Sequence, residues 1–376
     1  MKFISFFSTI LLISLLASHC SIDVPVNAKP KDIWVVYGVL DKLDSVQYLR
    51  IMKAFLVDGD AIQYAKDNDI SAKGLKVTLT EIKTDGSNGT VYQASEVTVP
   101  SAAGSSYPTR TVYKFKTVGS NGLANLKEKQ KYEVKITDPN NPELSFTAYT
   151  IIPQRPTISD PAPFPNASAT ERCVPEVSWH KENQVYFKRL YAAPGQTTSD
   201  YGAGYGFEFR MFVKYTKLIA GQAITVTDTI FYPMFQQTDP CNNVGDNLLC
   251  INFGKKELLS QMKTRMNDPN AIYEIVNEPK CVPIVPSNII KDIEYEVTSI
   301  DTFFTNYLIV TNPANAGFVT NDQTIKYTNL KSTNTKYEVY GIVGSINKGS
   351  TYVQLDDCTL YQLRLNNTPQ PATSCD

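Results

Sequence analysis

Ile33-Trp34-Val35-Val36-Tyr37-Gly38-Val39-Leu40, then Asp41-Lys42-Leu43-Asp44-Ser45, then Val46-Gln47-Tyr48-Leu49-Arg50-Ile51-Met52-Lys53-Ala54-Phe55-Leu56, is the stretch that decides the fold. Two runs dense in β-branched and aromatic residues enclose a short link of turn-forming ones, which is the signature of a β-hairpin. Runs of the same kind follow at 75–82, 90–97, 111–118, 132–137 and 144–152. Between them stand Asp85-Gly86-Ser87-Asn88-Gly89 and Asp138-Pro139-Asn140-Asn141-Pro142, both rich in turn chemistry. Some seven strands within about 120 residues predict an immunoglobulin- or transthyretin-like β-sandwich over residues 31–152. A single helical turn is expected near 60–68, in the connection after the second strand.

Pro153, Pro156, Pro161, Pro163 and Pro165 crowd the next segment, a density that disfavours both helix and strand interior. Residues 153–165 are therefore expected to be a linker, and 166–376 a second β-rich domain. Strand-like runs are expected there at 176–179, 185–191, 207–215, 224–232, 295–300, 307–311, 324–330 and 337–343. One stretch departs from that pattern. Across 255–266, Leu258, Leu259, Met262 and Met266 recur at helical spacing, which predicts one amphipathic helix packed on this domain. Trp34 and Trp179 are expected in the core.

The chain opens with Lys2 and an apolar run that ends in Leu16-Ala17-Ser18-His19-Cys20. This is the layout of a secretory signal peptide, too short to span a bilayer, which takes about 20 apolar residues. The last residues are similar to a bacterial lipobox, in which the Cys becomes the acylated first residue; His19 departs from the small residue usual there. Residues 1–19 are read as a lipoprotein signal peptide and 20–30, with Pro25 and Pro30, as a lipidated tether. Lipid on Cys20 would hold the chain to a membrane, since each buried methylene adds about 0.8 kcal/mol.

Seven cysteines, at 20, 173, 241, 250, 281, 358 and 375, leave six once Cys20 is lipidated. An even remainder in an exported chain reads as disulfides. Cys241 with Cys250, across a turn-forming loop, and Cys358 with Cys375, tying down the C-terminus, are the favoured pairs; the connectivity of the rest, Cys173 and Cys281 included, is open. A metal site is not expected, because there is no CxxC and His180 is the single histidine after the signal peptide. No cofactor is expected either. The formal net charge of −1 over 376 residues, 19% of them charged, gives no basic excess for nucleic acid.

Few stretches suggest chemistry. His180 has no nucleophile motif to serve, and a solvated strand-end role is preferred to a catalytic one. The Tyr201-Gly202-Ala203-Gly204-Tyr205-Gly206 run lacks the strand-then-helix setting of a phosphate cradle. It reads as a Tyr/Gly loop, with Tyr201 and Tyr205 as candidate ligand contacts. Asp58, Asp60, Asp67 and Asp69 share one connection, but EF-hand spacing is missing, so a solvated loop is expected before a weak calcium site at Asp58 and Asp60. Catalytic residues are not assigned.

The segment from Trp34 to Asp41, with Tyr48 to Leu56 after it, following a lipobox, resembles a family of Bacteroidota envelope lipoproteins of unknown function, often encoded near TonB-dependent outer-membrane transporters. Tyr327-Thr328-Asn329-Leu330 and Tyr340-Gly341-Ile342-Val343-Gly344 are similar to that family's C-terminal pattern. The resemblance covers most of the mature chain. It implies an N-terminal sandwich on a lipid-anchored protein at either face of the outer membrane, and brings no catalytic residue. The expected function is non-enzymatic: binding or assisting in nutrient uptake, with a TonB-dependent transporter or a glycan or peptide ligand as partner. A fimbrillin-like pilus or adhesion subunit is the first alternative, and a glycan-active enzyme the second.

Overall fold

The computed structural model describes residues 33–54, 61–100, 109–118, 126–161, 171–179, 181, 183–188, 206–234, 248–275, 281–283, 292–311, 327–371 and 375. The opening hairpin forms where the sequence places it: β1 (Ile33–Asp41) and β2 (Val46–Lys53) run antiparallel, with Tyr37 opposite Arg50. Its turn is closed by side chains. Asp41 Oδ1 accepts the Leu43 N–H at 2.9 Å, and Gln47 Nε2 donates to the Asp41 carbonyl at 2.9 Å. Alternation sets the faces: Trp34, Val36, Leu40, Leu49 and Ile51 are buried, while Tyr37 and Tyr48 point the other way and stay exposed.

The helical turn expected at 60–68 is α1 (Ala61–Asp67). Then come β3 (Lys76–Ile82), β4 (Asn88–Gln93), β5 (Ser95–Val99), β6 (Arg110–Lys116), β7 (Lys131–Asp138) and β8 (Asn141–Ile151). The run expected at 90–97 is two strands, because the chain changes sheets at Ala94: β4 pairs with β3 and β5 with β6. Strands that switch sheets at such a bend make the corners of β-sandwiches.

The second half contributes β9 (Thr157–Asp160), β10 (Glu171–Cys173), β11 (Glu176–Val177), β12 (Asn183–Lys188), β13 (Gly206–Ile219), β14 (Gln222–Met234) and β15 (Leu248–Phe253). After α2 (Glu257–Arg265) come β16 (Ala271–Glu274), β17 (Cys281–Pro283), β18 (Ile293–Ile300), α3 (Thr302–Thr311), β19 (Leu330–Ser332), β20 (Glu338–Tyr352), β21 (Gln354–Leu355) and α4 (Asp357–Gln362). The amphipathic helix is α2, and it buries Leu258, Leu259 and Met262 as its spacing requires.

Three further elements differ from expectation. Residues 307–311 belong to the helix α3 and not to a strand, because Asp301 caps it: Asp301 Oδ1 accepts the Phe304 N–H at 2.9 Å. The proline-rich 153–165 holds a short strand, β9, which pairs with β12 between Pro156 and Pro161. Finally, the strand expected at 337–343 runs on to Tyr352.

That long strand organises the molecule. It pairs in parallel with β1 along Ile33–Asp41 and, further on, antiparallel with β18. The result is a nine-stranded sheet in the order β14-β13-β18-β20-β1-β2-β6-β5, with β16 beside β13. One face of it carries both cores. Under β1, β2 and β6 the sheet packs on a five-stranded sheet, β19-β8-β7-β3-β4, around Trp34, Phe115, Tyr132 and Phe146. Under β13 and β18 it packs on the three-stranded β15-β12-β9 and on α2, around Trp179, Phe187, Phe209 and Tyr295. Both tryptophans are thus core residues, and Trp179 Nε1 donates to the Tyr295 hydroxyl at 3.0 Å. The fold is mostly β and sandwich-like. Leu330, Tyr337, Val339 and Val343 close the first core although they follow the proline-rich 153–165, and the large sheet runs over both cores. No described helix is long and apolar enough to cross a membrane.

Candidate functional site

The cores occupy one face of the large sheet, so the other face decides what the molecule presents. Over β13, β18 and β20 this outer face neutralises its own charges. Arg210 pairs with Glu208 at 3.2 Å and lies opposite Glu296, and Lys348 pairs with Asp41 at 2.8 Å. Burial raises the pKa of Glu296, against the opposing pull of Lys348 and Arg210.

Over β2 and β6 the composition changes. With Leu49, Ile51, Tyr113 and Phe115 in the core, the alternate positions Tyr48, Arg50, Arg110, Lys114 and Lys116 face outward. Register brings them together: Tyr37 lies opposite Arg50, Tyr48 opposite Lys114, and Arg110 opposite Val99 on β5. No outward position of β2 or β6 carries a carboxylate. Arg50 sits half-buried among them, and its Nε finds no hydrogen-bond partner. Burial and the neighbouring Arg110 both hold its pKa below the ordinary arginine range, against the weaker opposing pull of Asp69 and Tyr37. A desolvated guanidinium beside a like charge is unfavourable until an anion meets it.

Aromatic rings border this cation. Tyr37 is 39% exposed and Tyr48 is 46% exposed. Tyr37 packs edge-on to Tyr307 of α3, ring centroids 6.3 Å apart. Tyr307 stacks in turn on Phe304 at 6.4 Å. The helix can lie this low because β20 carries glycine beneath it; a Cβ on Gly344 would come within 2.5 Å of Phe304 Cβ. A charge-free helix therefore forms a wall beside the cationic patch.

Asp69 lies at the rim. Burial would raise its pKa, but bonds from Ser71, Lys73 and Thr111 outweigh that and lower it to about 2. Lys73 Nζ is 3.1 Å from Asp69 Oδ2, and the Thr111 hydroxyl donates to the same oxygen at 3.1 Å. Its charge is thus committed. Asp67 accepts from Gln63 within α1. The other two aspartates of that connection, Asp58 and Asp60, lie outside the described residues, as do His180, Tyr201, Tyr205, Cys20 and Cys241. No group of three or more metal-ligating side chains occurs among the described residues.

Two other places hold polar groups. A cleft of about 360 Å³ lies between the C-terminal ends of α2 and α4, lined by Lys263, Asp268, Tyr273, Gln362 and Arg364. Several of its polar groups are engaged: Asp268 is 3.0 Å from Lys217, outside the lining, and Lys263 donates to Gln362 at 3.4 Å. Beneath the sheet, Asp301 is fully buried. Its Oδ2 accepts from the Ser345 N–H and from the Thr150 hydroxyl at 3.0 Å, and burial lifts its pKa to about 6 although these bonds pull it down. It ties β8, β20 and α3 together.

Of the cysteines, Cys358 and Cys375 form the expected disulfide, with Cα atoms 5.4 Å apart. Cys250 is also disulfide-bonded. Cys173 and Cys281 are backbone partners in the β10–β17 ladder.

Sequence reasoning did not single out Tyr37, Tyr48, Arg50, Arg110 or Tyr307 as a site. The alternation within 46–53 was the available signal, since it puts Tyr48 and Arg50 on the face that Leu49 and Ile51 leave. No protein-family model matches the chain, and no curated protein matches it.

Proposed function

We propose that this chain is a non-enzymatic cell-envelope lipoprotein, anchored through lipid on Cys20, that acts as a binding or accessory protein for an outer-membrane nutrient uptake system. The observation that carries the binding role is the outer face of β1, β2 and β6, where the exposed Tyr37 and Tyr48 neighbour a half-buried arginine whose Nε has no partner. The groups there are suited to holding a ligand. Guanidinium and phenol groups give directional bonds and ring faces, whereas the carboxylate whose pKa is lifted to about 6, Asp301, is buried and engaged in capping α3. The anchoring role rests on the lipobox-like end of the signal peptide. A TonB-dependent transporter is the proposed partner in the membrane.

The place of β1 weighs against a pilus subunit. Assembly by donated strands needs a strand that can be removed or a gap that can be filled. β1 is paired on both sides, by β20 and by β2, in the middle of the large sheet. Trimming it would dismantle the first core.

Fractionation tests the anchor and an array tests the role. Cys20→Ala is expected to move the protein from the membrane pellet to the soluble fraction; a variant that still pellets would refute the anchoring. On a glycan and peptide array the mature chain is expected to retain ligand unchanged. Turnover of a retained ligand would make it an enzyme.

A further inference from the structure

We propose that the outer face around Arg50 binds the carboxylate of an acidic oligosaccharide, with Tyr37 and Tyr48 as platforms for the sugar rings. This rests on the reading of the chain as a binding protein and names its ligand class. The case for an anion is complementarity. Arg50, Arg110, Lys114 and Lys116 all point outward from β2 and β6, and the nearest β1 carboxylate, Asp41, is taken by Lys348. Arg50 is the centre of the patch, because its Nε is buried without a partner and a planar fork matches a carboxylate in two bonds.

The case for a sugar is the setting of that cation. Tyr37 lies directly across from Arg50 on β1 and Tyr48 two residues before it on β2, each more than a third exposed, and the Tyr37 ring is braced by Tyr307. Rings held upright on a sheet present flat apolar faces at low conformational cost. A peptide recognised by strand addition would need a free sheet edge. Here the strands are interior: β1 and β2 have both neighbours, and β6 lies between β2 and β5, so backbone donors and acceptors on this face are already used. What remains for a ligand is side chains alone, a cation with exposed aromatic rings beside it.

The test is calorimetric titration of the mature, soluble chain with oligogalacturonate hexamers, their fully methyl-esterified counterpart, and a hexaglutamate peptide. Binding of the free acid is expected, weakened at least tenfold by esterification and at least tenfold by Arg50→Ala. Tyr48→Ala is expected to weaken it severalfold, and because Tyr48 is exposed this variant serves if Arg50→Ala unfolds. Equal binding of acid and ester, no binding of the acid, or indifference to both substitutions would overturn the proposal. Hexaglutamate binding as tightly as the sugar acid, with the same dependence on Arg50, would also overturn it in favour of an anionic peptide. The binding role itself fails separately: retention of neutral glycans on the array, unaffected by Arg50→Ala, would sink this proposal and leave that role standing.

Discussion

Replacing Asp301 by asparagine should remove a pH dependence that the buried carboxylate builds into the fold. Asp301 has a pKa of about 6 in the folded chain against 3.8 for the ordinary side chain. The native state therefore holds the proton more tightly than the unfolded one. By linkage, the contribution is fully present below the unfolded pKa and is lost as pH rises through the folded one. A difference of about two units corresponds to about 3 kcal/mol at 1.36 kcal/mol per unit. Asparagine does not titrate. It keeps an oxygen for the Phe304 N–H cap, and whatever it costs by facing the Ser345 N–H with an amide is the same at every pH. The stability difference between Asp301→Asn and the parent, from urea denaturation at intervals between pH 4 and 8, should shift by about 2 kcal/mol in favour of the variant as pH rises, the remainder lying below pH 4. A difference that stays flat, or moves in favour of the parent, would refute the account of Asp301 as a carboxylate held in place against its own desolvation.

Three further outcomes follow from packing and covalent closure. Cys358→Ser should cost about 3 kcal/mol in urea denaturation, the chain-entropy value for a loop of this length, the two cysteines being 17 residues apart; an unchanged midpoint would mean the C-terminal segment contributes nothing to the fold. Gly349→Ala should cost about 2 to 3 kcal/mol or more, because a Cβ there would lie 1.9 Å from the Pro156 carbonyl oxygen and neither backbone can yield freely. A loss under about 0.5 kcal/mol, well below the overpacking range, would mean that β20 and the segment before β9 do not meet as closely as this. Arg50→Met keeps the side-chain stem but removes a desolvated charge beside Arg110, so the thermal midpoint should rise by about 1 to 3 °C, and a fall would mean that Arg50 is held by a partner of the fold itself.

How far the fold could be read depended on whether local pattern and tertiary demand agreed. In the opening hairpin they did: alternation, turn residues and burial all point the same way, and the strands lie where the sequence puts them. The helix α2 was equally legible, since Leu258, Leu259 and Met262 share one face. The helix α3 was not, because Phe303, Phe304, Tyr307, Leu308, Ile309 and Val310 are apolar around the whole circumference and end in β-branched residues that also suit a strand. Only Asp301 at its N-cap betrays it. The extension of β20 was hidden for a different reason. Gly344, Ser345, Asn347 and Gly349 look like the end of a strand, yet each answers to a neighbour: Phe304 on Gly344, Asp301 on Ser345, the Pro153 carbonyl on Asn347 and the Pro156 carbonyl on Gly349. The pairing of β1 with β20 links segments some 300 positions apart, and no local signal announces a parallel partner that remote. For the same reason the half of the site on β2 was partly legible and the half on β6 was not.

The joining of two cores under one sheet explains why the outer face divides as it does. A sandwich core needs only the inner face, so outward residues are free of packing constraints and their charges can be arranged for other ends. Over β13, β18 and β20 acids and bases alternate across register, which gains modest stability at a surface. Over β2 and β6 that arrangement is given up, and Arg50 is half-buried beside Arg110 with its Nε unpartnered. A fold selected for stability alone would place an acid opposite Arg50, where Tyr37 stands, as it does at Lys348 and Asp41. Keeping Arg50 half-buried with its Nε unpartnered lowers the stability of the free chain and leaves that interaction for a bound anion. Stability and affinity should therefore move in opposite directions at position 50, which a merely structural arginine would not show.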